Sequence, residues 1–175
     1  MTSLTSHLSP LITLRALEPE DLDLLYCIEN DTALWSIGTT NVPYSRYLLR
    51  DYVAHATNDI YTDRQVRMMI DNAEGQTVGI VDLVSFDPSN RRAELGIIII
   101  NDYRRQGYAT ATLRQICDYA LRVLHLHQLY AYIDERNEAS LSLFRKAGFT
   151  IAGHIPEWLF DGEHYHDACL LQLVL

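Results

Sequence analysis

Apolar and polar positions alternate at the start of the chain and then change period, which predicts a strand followed by helices. At residues 12–16 every second side chain is apolar, as in a half-buried strand. Residues 18–21, Glu-Pro-Glu-Asp, favour a helix start because proline and acidic side chains suit a first turn. We expect this helix to end near Asn30, a second helix at residues 45–57, and a loop at residues 35–44.

The middle of the chain predicts three antiparallel strands in succession. Apolar residues alternate at positions 66–70 and lead into a turn at 72–75. A second strand is expected at residues 78–84, and after a turn at 87–90 a third runs over residues 93–100. The third strand ends in four isoleucines, which is typical of a strand buried on both faces.

Helical spacing returns at residues 107–124 with an apolar stripe along one face. We expect a strand at residues 129–133, a helix at 138–147 that ends at Gly148, and a hairpin at Asp161-Gly162 that joins two final strands. This order predicts an α/β or α+β fold. Helices would cover both faces of a single mixed, mostly antiparallel twisted sheet of about seven strands.

Length and charge narrow the class of protein. The 175 residues suit one compact domain, residues 1–175. No apolar run approaches the roughly 20 residues that span a bilayer, and the start lacks a secretory signal, so we expect a cytoplasmic protein without membrane contact. Cys27, Cys117 and Cys169 are expected to be reduced thiols. A formal charge of −9 disfavours nucleic acid and suits cationic partners, although acidity also serves solubility alone. The oligomeric state is left open, a homo-oligomer included.

Residues 97–110 are the most informative stretch, because the buried strand ends there in a short polar turn and a helix begins at once. The turn carries Arg104, Arg105 and Gly107. The first N–H groups of a helix lack intrahelical partners and lie at the positive end of its dipole, so they favour a bound anion. Glycine removes the side chain that would keep an anion off the backbone. The stretch predicts a phosphate cradle, although it carries neither a Gly-x-Gly-x-x-Gly nor a Gly-Lys-Ser/Thr fingerprint.

A second motif, Asn137-Glu-Ala-Ser-Leu-Ser-Leu-Phe-Arg-Lys-Ala-Gly-Phe149, follows about thirty residues later. With Arg104-x-x-Gly107-x-Ala109 it resembles the GNAT superfamily of acetyl-CoA-dependent N-acetyltransferases. The branch it looks most similar to holds spermidine acetyltransferase and the ribosomal-protein N-terminal acetyltransferases. Residues 94–110 and 137–149 carry the detailed resemblance, and the element order agrees with the GNAT fold from about Leu14 onward.

The resemblance implies how coenzyme A would be held. In the family the turn binds the pyrophosphate, which here implies Arg104, Arg105, Gln106, Gly107, Tyr108, Ala109 and Thr110. The fourth strand of the family splays from the fifth and pairs with the pantetheine amides, and one of its N–H groups polarises the thioester carbonyl. Those roles fall to the main chain of Ile98, Ile99 and Ile100. Asn137 and Phe144 would flank the pantetheine arm, and Asn137 also suits the N-cap of its helix.

Two acidic residues are candidates for handling the amine. Glu94 occupies a position where many family members place the carboxylate that receives the amine proton. A salt bridge from Glu94 to Arg91 or Arg92 is the alternative. Asp82 lies on an otherwise apolar strand face, which is costly unless the acid is paired or lines a cavity. We therefore treat Asp82 as a candidate substrate-binding residue.

The general acid is where this chain departs from the family pattern. Many members have a tyrosine at the position of Phe144, and phenylalanine cannot protonate the departing thiolate. Water can do so, because a thiol with a pKa near 8.5 leaves easily as an anion. Ser140 is the substitute candidate, by resemblance to a serine of the ribosomal-protein enzymes, and Tyr108 or Tyr132 are further alternatives.

Two histidine pairs, His125 with His127 and His164 with His166, lack a third ligand at a telling spacing. We therefore expect them at the surface or in caps, and we predict no metal cofactor.

These expectations lead to one main functional hypothesis and two alternatives. The main one is direct transfer of an acetyl group from acetyl-CoA to a primary amine of a small molecule or a protein N-terminus. A polyamine is the first alternative acceptor, but the loop at residues 36–44 has no carboxylate, whereas polyamine enzymes of this branch are acid-rich there. The second alternative, motivated by Phe144, is a non-catalytic CoA-binding regulatory module.

Overall fold

The computed structural model describes residues 9–31, 42–57 and 59–175. Its strands are β1 (Ile12–Ala16), β2 (Val66–Asn72), β3 (Thr77–Asp87), β4 (Arg92–Ile99), β5 (Gln128–Asp134), β6 (Thr150–Phe160) and β7 (Tyr165–Val174). Its helices are α1 (Leu22–Glu29), α2 (Arg46–His55), α3 (Ile60–Asp63), α4 (Tyr108–Arg122) and α5 (Glu138–Lys146), with 3₁₀ turns at Pro19–Asp21 and Asn101–Tyr103.

All seven strands form one sheet in the order β1-β2-β3-β4-β5-β7-β6. The neighbours β4 and β5 are parallel, whereas the other five neighbouring pairs are antiparallel. The mixed, mostly antiparallel sheet predicted from the sequence is therefore confirmed. The parallel pair needs a crossover connection, and α4 supplies it.

Helices cover both faces of this sheet, and adjacent residues of a strand point alternately to one face and the other. Met69 and Ile80 pack with α1 and α2 in one buried cluster. Their chain neighbours Ile70 and Val81 belong to the larger cluster on the other face, together with residues of α4 and α5. The two faces thus have separate cores that share one sheet.

Several boundaries differ from the predicted ones for local reasons. The first helix starts as a 3₁₀ turn, and α2 starts just after Ser45, whose hydroxyl accepts a hydrogen bond from the Leu48 N–H at 3.1 Å. α3 was not predicted, because four residues are too few to show a helical period. β3 continues to Asp87, past a bulge at Ser85 with φ 53° that interrupts the alternation.

Two further expectations concern the loop and the membrane. Residues 35–41 of the predicted loop lie outside the described residues. None of the helices in the described ranges is long and apolar enough to cross a membrane.

Candidate active site

The central feature of the site is the separation of β4 from β5. The two strands pair over three positions only, residues 92–94 with residues 128–130. Beyond Glu94, β4 stays paired with β3 as far as Ile99. Beyond Tyr130, β5 stays paired with β7 as far as Asp134. A wedge therefore opens between two strands whose outer sides are both secured, as the family resemblance implies.

Only alternate residues of β4 turn their main-chain groups towards this wedge. The N–H of Ile100 donates to the carbonyl of Val78 at 2.9 Å, so it belongs to the β3 side. The register places Ile98 on that side as well, and Ile97 and Ile99 on the open side. Of the three isoleucines expected to serve the cofactor, Ile99 therefore has its main chain on the open side, and Ile97 joins it.

The turn before α4 leaves the first amides of that helix exposed for an external partner. Arg105 and Gly107 both have left-handed backbone conformations, with φ of 62° and 90°. Gly107 is the N-cap residue, and no side chain caps the helix. The first intrahelical bond runs from the Ala111 N–H to the Gly107 carbonyl at 3.0 Å. The N–H groups of residues 108–110 thus precede the helical ladder, which is the geometry of an anion-binding helix start.

The backbone conformation and a neighbouring residue give a further reason for glycine at position 107. A Cβ built there would lie 3.0 Å from Cδ of Pro10 and would also have to accept φ 90°. The position occupied by that Cβ faces Pro10, so glycine serves the backbone conformation and the approach of the N-terminal segment.

Two polar side chains of the turn already donate hydrogen bonds to main-chain carbonyls of the protein. Nε of Arg104 donates to the Ile99 carbonyl at 2.9 Å, which ties the turn to the end of β4. The Gln106 amide donates to the Asp102 carbonyl at 2.9 Å. Arg104 also borders a cavity of about 300 Å³ between α1 and the end of β4. The cavity is lined by Leu24, Cys27, Ile28, Asp31, Ile98, Ile99, Ile100, Asn101, Asp102 and Arg104.

The start of α5 is closed by its own residues. The Asn137 side chain accepts a hydrogen bond from the Ser140 N–H at 3.0 Å, so the N-cap expected from the sequence is present. Phe144 is 3% exposed, and its ring packs edge-to-face against Phe149 with centroids 5.0 Å apart. The Phe144 side chain therefore belongs to the core beneath the site.

Glu94 lies at the last position of β4 that pairs with β5, where the wedge begins. Partial burial raises the pKa of its carboxyl group, while a hydrogen bond with Ser85 acts in the opposite direction. Arg92, one of its two expected salt-bridge partners, instead pairs with Asp87 at 3.2 Å. Burial and the nearby Glu94 charge also raise the pKa of Tyr130, which lies opposite Glu94 in register.

Ser85 and Tyr130 are site residues that sequence reasoning missed. Ser85 sits in a bulge that no periodic pattern indicates. Tyr130 and Tyr132 did offer a signal, since both alternate with the apolar residues Leu129, Ala131 and Ile133. Tyr132 packs against Trp158 with ring centroids 5.4 Å apart, and Tyr108 packs against Tyr103 at 6.1 Å.

Asp82 is paired rather than isolated. Arg67 binds both of its carboxylate oxygens, at 2.7 and 2.9 Å, and also donates to Glu29 at 2.5 Å. Arg67 of β2 thus joins Asp82 of β3 to Glu29 of α1. Asp82 lies opposite Gly96, which is exposed in the middle of β4. Because Gly96 has no side chain, the sheet surface between Glu94 and Asp82 is open.

The histidine pairs lie apart from this site. Nε2 of His166 lies 2.5 Å from Oδ2 of Asp161 in the final hairpin. The ring centroids of His164 and His166 are 6.5 Å apart. His125 follows α4 with φ 53°.

Comparison with known proteins agrees with this geometry. Residues 12–150 match the family model of the acetyltransferase (GNAT) domain. The chain is 30% identical to the spermidine N(1)-acetyltransferase of Escherichia coli K12 over 92% of this chain and 86% of that protein. It is 28% identical to a putative ribosomal N-acetyltransferase of Bacillus subtilis over 93% and 91%.

Solved structures of the spermidine N-acetyltransferase of Vibrio cholerae share the fold. Its complex with CoA and spermine superposes with a TM-score of 0.83 at 27% identity, covering 93% of this chain and 95% of that one. A dodecameric form of the same enzyme gives 0.79 at 28% identity and covers 93% of each chain. The chain therefore belongs to the GNAT acetyltransferase family and is an N-acetyltransferase that uses acetyl-CoA.

Proposed function

We propose that this N-acetyltransferase acetylates a primary amine of an aliphatic polyamine such as spermidine or spermine. The observation that carries the proposal is the open, acidic strip of sheet beside the wedge, formed by Glu94, Gly96 and the Glu29–Arg67–Asp82 cluster. Glu94 and Asp82 are diagonal neighbours across two strands, a spacing of roughly 7–8 Å between their Cα atoms. Two anionic positions at that spacing suit a chain that carries several ammonium groups.

Coenzyme A would enter from the other end of the wedge. The pyrophosphate would accept hydrogen bonds from the main chain of residues 106–110, and Arg104 and Arg105 would add charge-assisted contacts. The pantetheine amides would pair with Ile97 and Ile99, whose main-chain groups face the open side. Asn137 and Phe144 would border the pantetheine arm from α5, one at the helix start and one from the core.

The transfer itself would be direct. An alkyl ammonium has a pKa of about 10, so Glu94 would accept a proton from it, directly or through water, before the nitrogen attacks the thioester carbonyl. A main-chain N–H of β4 would stabilise the oxyanion. As the tetrahedral intermediate collapses, the nitrogen gives up its second proton to water, the C–S bond breaks and the thiolate takes a proton from water, Ser140 or Tyr130. Burial raises the pKa of the Tyr130 hydroxyl, which is therefore protonated at neutral pH and a weaker acid than an ordinary tyrosine.

A protein N-terminus is the second candidate acceptor, supported by the similarity to the Bacillus subtilis enzyme. The relatives are named as enzymes, so the non-catalytic alternative has no comparable support. Acceptors are distinguished by mixing the purified protein with acetyl-CoA and one amine at a time while free thiol is followed. Spermidine should give a kcat/KM at least tenfold above that of a peptide with a free N-terminal alanine. Thiol release with the peptide alone would overturn the polyamine assignment.

A pair of substitutions at Gly96 tests where the acceptor binds. A Cβ at Gly96 would lie 3.9 Å from Cβ of Asp82, which is ordinary contact, so Gly96→Ala is the matched control. Gly96→Val should fill the strip and raise the KM for spermidine by about tenfold. Its affinity for CoA should equal that of Gly96→Ala. An unchanged KM in Gly96→Val would remove this strip from the acceptor site.

Assembly and location belong to the same proposal. Trp158, Phe160 and Tyr165 are large apolar side chains exposed on β6 and β7, and β6 is an edge strand, which together support a homo-oligomer. Light scattering on the purified protein would test the oligomer. A cytoplasmic location stays a prediction from the sequence, to be tested by fractionation of cells.

A further inference from the structure

Three potential metal ligands meet on the last three strands of the sheet, on the side of β5 away from the wedge. They are Glu135, His154 and Cys169, and their ligand atoms all lie within 4.8 Å of one another. Sγ of Cys169 is 3.6 Å from Oε1 of Glu135 and 3.8 Å from Nδ1 of His154. Nδ1 of His154 and Oε1 of Glu135 are 2.5 Å apart. No other group of three such residues occurs in the part of the chain that the structure describes.

The strand register brings these residues together. Cys169 of β7 lies opposite Ile133 of β5 on one side and His154 of β6 on the other. Glu135 follows directly after β5, and its N–H donates to the Asp167 carbonyl at 3.1 Å, which holds it beside β7. The sequence separations of 19 and 15 residues match no familiar metal motif, so the sequence gives no warning of this cluster.

The cluster is open to solvent on one side and anchored in the core on the other. Cys169 is 3% exposed, whereas the side chains of Glu135 and His154 are 37% and 65% exposed. An ion would therefore reach it from outside without unfolding the sheet, and the thiol would form the floor of the site.

We propose that Glu135, His154 and Cys169 bind a zinc ion, with water as the fourth ligand. Tetrahedral Zn²⁺ at its usual bond lengths separates N, O and S ligands by roughly 3.4–3.6 Å. The two distances from sulfur are already close to this, and a small rotation of the exposed imidazole supplies the third. Imidazole and thiolate ligands favour Zn²⁺ over Mg²⁺, Ca²⁺ and Mn²⁺, which prefer oxygen.

Binding changes the protonation of the cluster. In the free site the Cys169 thiol points towards Oε1 of Glu135 at 3.6 Å, in the direction of a donated S–H. On binding, the thiol proton passes to the buffer and an S–Zn bond forms. The ion then links the end of β5 to β6 and β7, and the folded state gains stability with the logarithm of the free Zn²⁺ concentration once this exceeds the Kd.

Cobalt is the probe that tests this site, because a thiolate bound to Co²⁺ gives a charge-transfer absorption in the near ultraviolet. Tag-free, chelator-treated protein is titrated with Co²⁺ and then with Zn²⁺. We expect one Co²⁺ per chain with the thiolate band, and loss of the band when Zn²⁺ displaces it. Cys169→Ser should abolish the band, whereas Cys27→Ser and Cys117→Ser, which are free cysteines elsewhere, should keep it.

His154→Ala is the second variant, because a side chain that is 65% exposed can be removed without disturbing the core. It should weaken Zn²⁺ binding, measured by calorimetry, by more than the roughly 10-fold to 100-fold that loss of an outer-shell partner costs. A thiolate band that persists in Cys169→Ser, Zn²⁺ affinity unchanged in His154→Ala, or no Co²⁺ uptake by the wild type would each overturn the proposal.

Discussion

The two strand–helix units at the centre of the sheet, β4 with α4 and β5 with α5, have the same order of elements but differ at the start of the helix. The two strands stop pairing with each other at Glu94 and Tyr130, and each continues to its last residue along its outer neighbour, β4 along β3 and β5 along β7. The turn after β4 leads to a helix without a side-chain cap, whereas Asn137 caps the helix after β5. The start of α4 therefore leaves main-chain N–H groups for a ligand, whereas the start of α5 is capped by its own side chain.

Charge follows the same division. Arg104 and Arg105 precede α4, and no acidic residue lies in its first turn. Glu138 lies in the first turn of α5, and Arg136 just before it is held by Asp134 at 2.6 Å. Because an anion at a helix start competes with a negative side chain there, only α4 is suited to a pyrophosphate. The difference shows how one architecture separates binding from support.

Glu94→Gln should have the largest effect. Loss of a general base lowers kcat/KM by roughly 100-fold to 10,000-fold. Asp134→Asn is the matched control on β5, because Asp134 is already occupied by Arg136, and it should change kcat/KM less than threefold. Steady-state kinetics with spermidine measures both. Equal losses in the two variants would erase the distinction between the strands.

The pH profile gives the sign of the Glu94 effect. Glu94 must be ionised to accept a proton, so the wild-type rate should fall as pH drops through its raised pKa. The deficit of Glu94→Gln should be largest well below the pKa of the amine, about 10, and should shrink as pH approaches it. A constant ratio of the two rates at every pH would exclude the role of Glu94 as base.

Gly107→Asp and Gly107→Asn should have the next largest effect, on CoA affinity. Both side chains tolerate a left-handed backbone better than most, and both meet Pro10, so strain is similar in the two variants. The aspartate alone adds a negative charge beside the pyrophosphate and imitates the capped start of α5. Calorimetry should show CoA binding weaker in Gly107→Asp than in Gly107→Asn by roughly 10-fold. Equal affinities would mean that the pyrophosphate is not held at this helix start.

Asn137→Ala should have the smallest effect on the ligand and a measurable one on the fold. Removal of an N-cap side chain costs about 1 kcal/mol of unfolding free energy. CoA affinity should change by less than it does in Gly107→Asp, since the Asn137 side chain serves Ser140 first. Urea unfolding and calorimetry on one preparation measure both. A larger loss of CoA affinity than of stability would assign Asn137 to the cofactor site.

The sequence predicted this architecture well and the details of the site less well. Apolar periodicity located most strands and helices, and the motif around Gly107 predicted the turn that we propose for the cofactor. The strand register could not be predicted from the sequence, because a period-two pattern shows which face of the sheet a residue occupies but not which residue lies opposite it on the next strand. The sequence therefore did not show that Asp82 pairs with Arg67 or that Tyr130 lies opposite Glu94.

Long-range side-chain contacts were equally hidden. The sequence already shows that Phe144 cannot donate a proton. Only the packing shows that its ring lies against Phe149 in the core. Glu135, His154 and Cys169 come together through strand pairing and not through spacing.

The most direct test of the central claim is an amide NMR titration of the protein with CoA. We expect the N–H signals of residues 106–110, Ile97 and Ile99 to shift most when CoA binds, and the N–H signals of residues 137–140 to shift little. Saturated CoA binding with unmoved signals at residues 106–110 would contradict the claim that the open helix start of α4 holds the cofactor.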